Sequence, residues 1–124
     1  MILLDTNLLT RMTRSHEPQS GIARAAIQTL LQRRERLIVV PQNLYEFWAV
    51  ATRPAGPPPA GRNGLGMTAV QAGHWLQFFR RRFAVLPDRA ELSTLWQELF
   101  TRLLTFNASD FCNLGIVILD PAAV

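Results

Sequence analysis

The sequence has a single cysteine, no lysine and no long apolar run, and these absences exclude several classes of protein. One cysteine, Cys112, rules out an internal disulfide and a zinc site built from cysteines. The longest aliphatic runs, "MILL" and "LIVV", end at Asp5 and Pro41, so neither a secretory signal core nor a membrane span of roughly 20 apolar residues is present. We therefore expect a cytoplasmic protein that makes no membrane contact.

The positive charge of the chain comes from arginine alone. All 13 basic residues are Arg, against 9 acidic residues, and the net charge is +4. The planar guanidinium group suits phosphate and carboxylate recognition, so RNA and an acidic protein are both compatible partners. An arginine-rich, alanine-rich and proline-rich composition is also typical of a GC-rich genome, so composition alone leaves the choice open.

The patterning predicts one α/β domain over residues 1–124. Hydrophobic residues make up 48% of the chain, which is enough for a sizeable core. Short apolar runs ("MILL", "LIVV", "FAVLP", "LLTF" and "IVIL") alternate with helical stripes. This alternation predicts a parallel sheet of four to five strands, flanked by helices and joined by right-handed crossovers.

A loop rich in proline and glycine interrupts this alternation at residues 54–66. The stretch "PAGPPPAGRNGLG" contains four Pro and four Gly, which break both helices and strand ladders. Its "GRNGLG" matches a phosphate-binding spacing only loosely and follows no predicted strand. We predict a flexible surface loop.

Acidic and amide residues come from three segments that should meet at one edge of the sheet. Asp5 ends the first strand, Glu46 lies in the helix that begins at Pro41, and Asn107 and Asp110 follow "LLTF". Ligands of parallel α/β sheets collect at the carboxyl ends of the strands. Carboxylates with water and substrate phosphate are typical Mg²⁺ and Mn²⁺ ligands, which favours a metal-dependent phosphodiesterase. Taken singly, the same residues are equally compatible with a helix cap, a solvated side chain and turn formers.

Several segments, taken in chain order, resemble one known family. The stretches "ILLDTNLL", "VVPQNLYEFWAV", the "NGLG" loop, "AVLPD" and "LLTFNASDF" are similar, nearly end to end, to the PIN domain of VapC-type toxin ribonucleases. The resemblance implies a parallel sheet flanked by helices, an acidic Mg²⁺ or Mn²⁺ site and RNA cleavage by a metal-activated water. It also implies a cognate antitoxin as a protein partner.

The resemblance assigns the site residues one by one. Asp5 and Glu46 match the first two acidic metal ligands and are the expected catalytic residues. Asn107 holds the fourth ligand position, and Asp110 is the nearby acidic alternative. The third position has no counterpart in this chain.

Two further groups of polar residues complete the expected site. By the resemblance, Thr6 and Asn7 match polar residues that orient the first carboxylate. The basic run Arg80, Arg81 and Arg82 is predicted to bind RNA through its phosphates. A solvated basic face is the competing interpretation of that run.

The missing third ligand belongs to a segment that the chain lacks. In the family, a helix ending like "LWQELF" is followed by a loop and a further helix, whose first turn carries the third Asp. Here the chain runs directly into "TRLLTFN", and no Asp lies between Asp88 and Asp110. Glu91 and Glu98 are interpreted as solvated, Glu98 as an ion-pair partner of Arg102.

Loss of this helix leaves two functional interpretations open. The first is a PIN-type endoribonuclease with impaired activity, and the second is a catalytically inactive PIN module that binds an antitoxin or itself. In either case the fold is expected to be truncated by one helix. The apolar surface of "LLTF" and "IVIL" should then be exposed unless another chain or the antitoxin covers it, which predicts a homodimer or an aggregation-prone monomer.

Overall fold

Five short strands form one all-parallel sheet in the computed structural model, which describes residues 1–87, 89, 101–111 and 115–124. The strands lie in the order β3-β2-β1-β4-β5, and neighbouring strands pair in parallel throughout. Four α-helices of the described residues accompany the sheet. The predicted α/β class, with a parallel sheet flanked by helices, is confirmed.

The element bounds follow the sequence pattern closely. The strands are β1 (Ile2–Leu4), β2 (Leu37–Val39), β3 (Ala84–Val85), β4 (Arg102–Leu104) and β5 (Val117–Leu119). The helices are α1 (Thr6–Met12), α2 (Pro18–Gln32), α3 (Pro41–Thr52) and α4 (Ala69–Arg82). Short 3-10 turns lie at Ala108–Phe111 and Pro121–Ala123. None of the helices described is long and apolar enough to cross a membrane.

Some sequence predictions fall on residues 88, 90–100 and 112–114, which the structure does not describe. The stretch "LWQELF", which resembles the end of a helix in the family, lies among these residues, together with Glu91 and Glu98, which are interpreted as solvated. Cys112, whose apolar neighbours in the sequence predict a small core residue, also lies outside the described residues.

Local sequence signals place the starts of three helices. Pro18 and Pro41 occupy the first positions of α2 and α3, where a missing N–H costs no hydrogen bond. At α4, the Thr68 hydroxyl accepts a hydrogen bond from the Gln71 backbone N–H at 3.2 Å. The Gln71 side chain in turn accepts one from the Thr68 N–H at 2.9 Å.

The two faces of the sheet bury different residues of each strand. Ile2 and Leu4 of β1 pack into the main core with the four helices, whereas Leu3 packs on the opposite face with Ile38 and Leu103. This is the alternation that a strand imposes on successive side chains. Both faces of the central strands are therefore buried.

The predicted exposure of "LLTF" is wrong. Leu103 and Leu104 are 4% and 0% exposed, because each face of β4 packs against one of the two clusters. On β5, Val117 is 57% exposed. The expected apolar exposure is thus found at Val117 on the edge strand and not on β4.

The loop over residues 54–66 contains no helix or strand, as predicted, but it is anchored to the end of α3 by backbone hydrogen bonds. The Gly64 N–H donates to the Pro54 carbonyl at 3.0 Å, and the Gly66 N–H donates to the Arg53 carbonyl at 2.8 Å. A Cβ atom at Gly64 would overlap the Arg53 side chain and carbonyl. Glycine is therefore required at this position, while the flexibility of the loop stays a prediction.

One ion pair fastens the start of β4 to the start of β2. Arg102 donates to both carboxylate oxygens of Glu35, at 2.7 and 2.6 Å, across the intervening strand β1. This bidentate hydrogen bond holds the pKa of Glu35 below its ordinary value and raises the pKa of Arg102. Among the described residues Arg102 thus pairs with Glu35, while its predicted pairing with Glu98 falls on a residue outside them.

The pair makes stability depend on pH in a defined direction. Because the pKa of Glu35 is lower in the folded state, the pair stabilises the fold above the ordinary pKa of glutamate. That stabilisation is lost as the pH falls through the folded value. We expect Glu35→Gln to lower the free energy of unfolding at about pH 7, and to lower it progressively less as the pH falls below the ordinary pKa of glutamate. Urea unfolding of both proteins across this range measures the difference, and a constant difference at every pH would contradict the prediction.

Candidate functional site

Asp5 is held at the carboxyl end of the central strand β1. The pairing of Leu4 with Leu104 sets Asp5 beside Thr105, and the Asp5 N–H donates to the Leu104 carbonyl at 3.1 Å. The Thr105 hydroxyl donates to Asp5 Oδ2 at 2.6 Å, and Asn7 Nδ2 donates to the same oxygen at 3.0 Å. The carboxylate is therefore oriented from two neighbouring elements.

Thr105 is a site residue that the sequence reasoning missed. Its side chain is 0% exposed, and its hydroxyl oxygen accepts hydrogen bonds from Asn7 Nδ2 and from the Asn107 backbone N–H, each at 3.0 Å. The available signal was a threonine at the end of the strand "LLT", next to the strand that ends in Asp5. This signal identifies Thr105 as a partner of Asp5 only when the register between β1 and β4 is known.

Glu46 projects from α3 and is held by a separate set of hydrogen bonds. Its Oε2 accepts from the Thr6 hydroxyl at 2.7 Å, and its Oε1 accepts from Gln42 Nε2 at 2.8 Å. The Thr6 oxygen accepts from Asn43 Nδ2 at 3.2 Å, and both Thr6 and Asn43 are buried. Thr6 therefore contacts the second carboxylate rather than Asp5, which corrects the role implied by the resemblance.

The reason for this difference lies in the geometry of α1. Thr6 is the first residue of the helix, and its hydroxyl meets α3. Asn7, one position further, turns toward β4 and reaches Asp5. Adjacent helical positions point in different directions, so the two polar residues serve different carboxylates.

Both carboxylates line one cavity of about 230 Å³. Asp5 lines it from the carboxyl end of β1 and Glu46 from α3, Arg102 lines it at the start of β4, and Leu3, Leu103 and Phe111 provide apolar walls. This is the location at which parallel α/β sheets place their ligands. The structure therefore groups the two residues that the sequence predicts as catalytic.

The other two predicted ligands do not line this cavity. Asn107 and Asp110 are exposed, and Asn107 contributes its backbone N–H to Thr105. Asp110 lies in the 3-10 turn Ala108–Phe111, where its N–H donates to the Asn107 carbonyl at 3.0 Å. Among the residues that the structure describes, no three His, Cys, Asp or Glu side chains form a group that could hold a metal ion.

The two carboxylates that line the cavity fit a cation that retains several coordinated water molecules. Asp5 Oδ2 accepts two hydrogen bonds, whereas Oδ1 accepts none from the described part of the chain. Both oxygens of Glu46 accept one. Mg²⁺ is commonly bound through one or two carboxylates together with water and substrate phosphate, and two carboxylates on one cavity match that pattern.

The predicted RNA-binding run lies apart from the cavity. Arg80, Arg81 and Arg82 are exposed and form the last turn of α4. Positive charge there is stabilising by itself, because it complements the carboxyl end of the helix dipole. Their position is compatible with phosphate contacts and also with a purely solvated face.

Comparison of the chain with protein-family models, with curated proteins and with solved structures gave no match. The geometry of the cavity and the residues that line it are therefore the basis for inferring a function.

Proposed function

We propose that the chain is a metal-dependent endoribonuclease of the PIN-domain type, which hydrolyses RNA phosphodiester bonds with impaired activity. One observation carries this proposal: Asp5, at the carboxyl end of the central strand, and Glu46, on α3, line one cavity. The impairment follows from the missing third acidic ligand. A cytoplasmic location and a cognate antitoxin as partner belong to the same proposal.

The residues present would hold Mg²⁺ or Mn²⁺ through Asp5 and Glu46. Such an ion, when bound, lowers the pKa of a coordinated water and stabilises charge on a phosphate. The task of the protein is to fix the ligands, and Asn7 orients Asp5 while Thr6 and Gln42 orient Glu46. Displacements of about 1 Å at such a site cost roughly 100-fold in rate, so these hydrogen bonds support catalysis directly.

Removal of the first carboxylate is the direct test of the metal site. We expect Asp5→Asn to weaken Mn²⁺ binding by about tenfold or more, because a neutral amide replaces the charged ligand. Isothermal titration of Mn²⁺ into the parent and the variant measures the change. Glu17→Gln is a matched control, since it neutralises a carboxylate that pairs with Arg11 and Arg14 and does not line the cavity. Identical titrations for the parent and Asp5→Asn would exclude this site.

RNA contact is proposed for Arg80, Arg81 and Arg82. Phosphate contacts release counterions, so the affinity for single-stranded RNA should fall steeply as the salt concentration rises. Replacing all three residues by Gln should flatten that dependence. A salt response that is flat in the parent protein would show that this run does not bind phosphates.

A non-cleaving PIN module that binds an antitoxin or a second copy of itself is the alternative. The observation that favours it is the absence, within the described residues, of a three-residue metal-binding group. An RNA cleavage assay with Mn²⁺ separates the two functions. Parent activity above that of Asp5→Asn supports the nuclease, and equal activity supports the binding module.

A further inference from the structure

The Thr105 hydroxyl has a saturated set of hydrogen bonds. A threonine hydroxyl offers one donated proton and two acceptor lone pairs. Asn7 Nδ2 and the Asn107 backbone N–H can only donate, and both donate to Thr105 Oγ1 at 3.0 Å. The hydroxyl proton is therefore directed to Asp5 Oδ2, at 2.6 Å.

The orientation of Asn7 in this network is also determined. Its side-chain oxygen accepts from the Phe106 backbone N–H at 3.4 Å, so its Nδ2 group faces Thr105 and Asp5. Asp5 Oδ2 consequently receives two donated hydrogen bonds. Its Oδ1 receives none from the described residues, and Asp5 lines the cavity.

The same network gives Asn107 a role that does not involve its side chain. The Asn107 backbone N–H fills one lone pair of Thr105, which lies two residues earlier in the chain. The residue itself is exposed and does not line the cavity. Its contact with the site therefore runs through the main chain.

We infer that Thr105 is a positioning residue, which holds Asp5 so that it presents Oδ1 alone to a divalent cation in the cavity. Asn107 then supports the site through its N–H and supplies no ligand. This inference rests on the proposed metal site and adds to it a residue and a one-oxygen mode of binding by Asp5. The resemblance places a metal ligand at position 107, whereas this inference places the residue that orients Asp5 at position 105.

Mn²⁺ affinity and hydrogen exchange test the inference together. Thr105→Val removes the hydroxyl at nearly constant size, and we expect it to weaken Mn²⁺ binding by about 10- to 100-fold, as loss of a ligand's hydrogen-bond partner commonly does. Thr105→Ser should restore the affinity. In the metal-free protein, the Asn107 amide should exchange faster in Thr105→Val than in Thr105→Ser, because its acceptor is gone. The control is Thr52→Val, whose hydroxyl bonds the Trp48 carbonyl on α3 and does not line the cavity.

Each outcome decides between defined alternatives. If Asp5→Asn weakens Mn²⁺ binding but Thr105→Val does not, the positioning role is overturned and the metal site stands. If Asp5→Asn has no effect, both are overturned. A loss for Asn107→Ala as large as that for Thr105→Val would make the Asn107 side chain a ligand and contradict the inference. Thr105→Ala gives the same comparison should the valine variant not fold.

Discussion

Insertion of a loop and a helix that begins with aspartate, immediately before Thr101, should raise Mn²⁺-dependent RNA cleavage by about 100-fold or more. The cavity already carries Asp5 and Glu46, and the inserted aspartate would supply the ligand that the proposed PIN-type site lacks. A third carboxylate would both tighten cation binding and fix the position of the cation against the phosphate. Cleavage of a fluorescent single-stranded RNA, measured with and without Mn²⁺, gives the rate.

The matched control is the same insert with asparagine in place of aspartate. It restores the additional helix without the additional charge, so it should leave cleavage near the level of the parent. Equal rates for the two inserts would show that the carboxylate is not the missing group. A parent chain that already cleaves RNA with Mg²⁺, and loses this activity on Asp5→Ala, would show that the third carboxylate is dispensable.

The sheet order sets the distance that the connection before Thr101 has to cover. The chain leaves β3 at one edge and re-enters the sheet at β4, beyond β2 and β1, which is a distance of three strand spacings or about 14 Å. The start of β4 is fixed independently by the bidentate pair of Arg102 with Glu35. We therefore expect the strand to keep its place when the preceding connection is lengthened.

The fold was predictable because its signals are local. The β-branched run "LIVV" becomes β2, and Pro41 opens α3 at the position where a proline is tolerated. These signals also set Asp5 and Glu46 at one edge of the sheet, since parallel strands share the direction of their carboxyl ends. The grouping of the first two carboxylates thus follows from strand order and helix start.

The hydrogen bonds within the site were not predictable, because they depend on register and side-chain direction. Thr105 reaches Asp5 only because Leu4 pairs with Leu104, and a shift of one residue would turn it to the other face. Likewise, the contact of Thr6 with Glu46 depends on the distance between α1 and α3, which no periodicity encodes. Leu103 is buried because side chains pack on its face of the sheet as well as on the face of the main core. The predicted exposure considered only the missing helix and did not include this packing.

The helix that carries Glu46 is anchored by Phe47, and this contact leads to the largest expected loss of stability. Phe47 is 0% exposed, and its ring meets that of Phe79 on α4 edge to face, with the ring centres 4.9 Å apart. The aromatic pair joins the third and fourth helices over the main core. The neighbouring Trp48 is 38% exposed on the same helix.

We expect Phe47→Ala to lower the free energy of unfolding by about 3 to 5 kcal/mol, because it removes a buried ring and leaves a cavity beneath α3. A domain of this size has a total stability of roughly 5 to 15 kcal/mol, so the substitution should remove a substantial fraction of it. Trp48→Ala, at the next position, should cost much less, since its ring is already partly in water. Urea unfolding of the three proteins measures both changes. Equal losses for the two variants would contradict the packing of α3, because they would mean that its inward and outward faces contribute alike to the core.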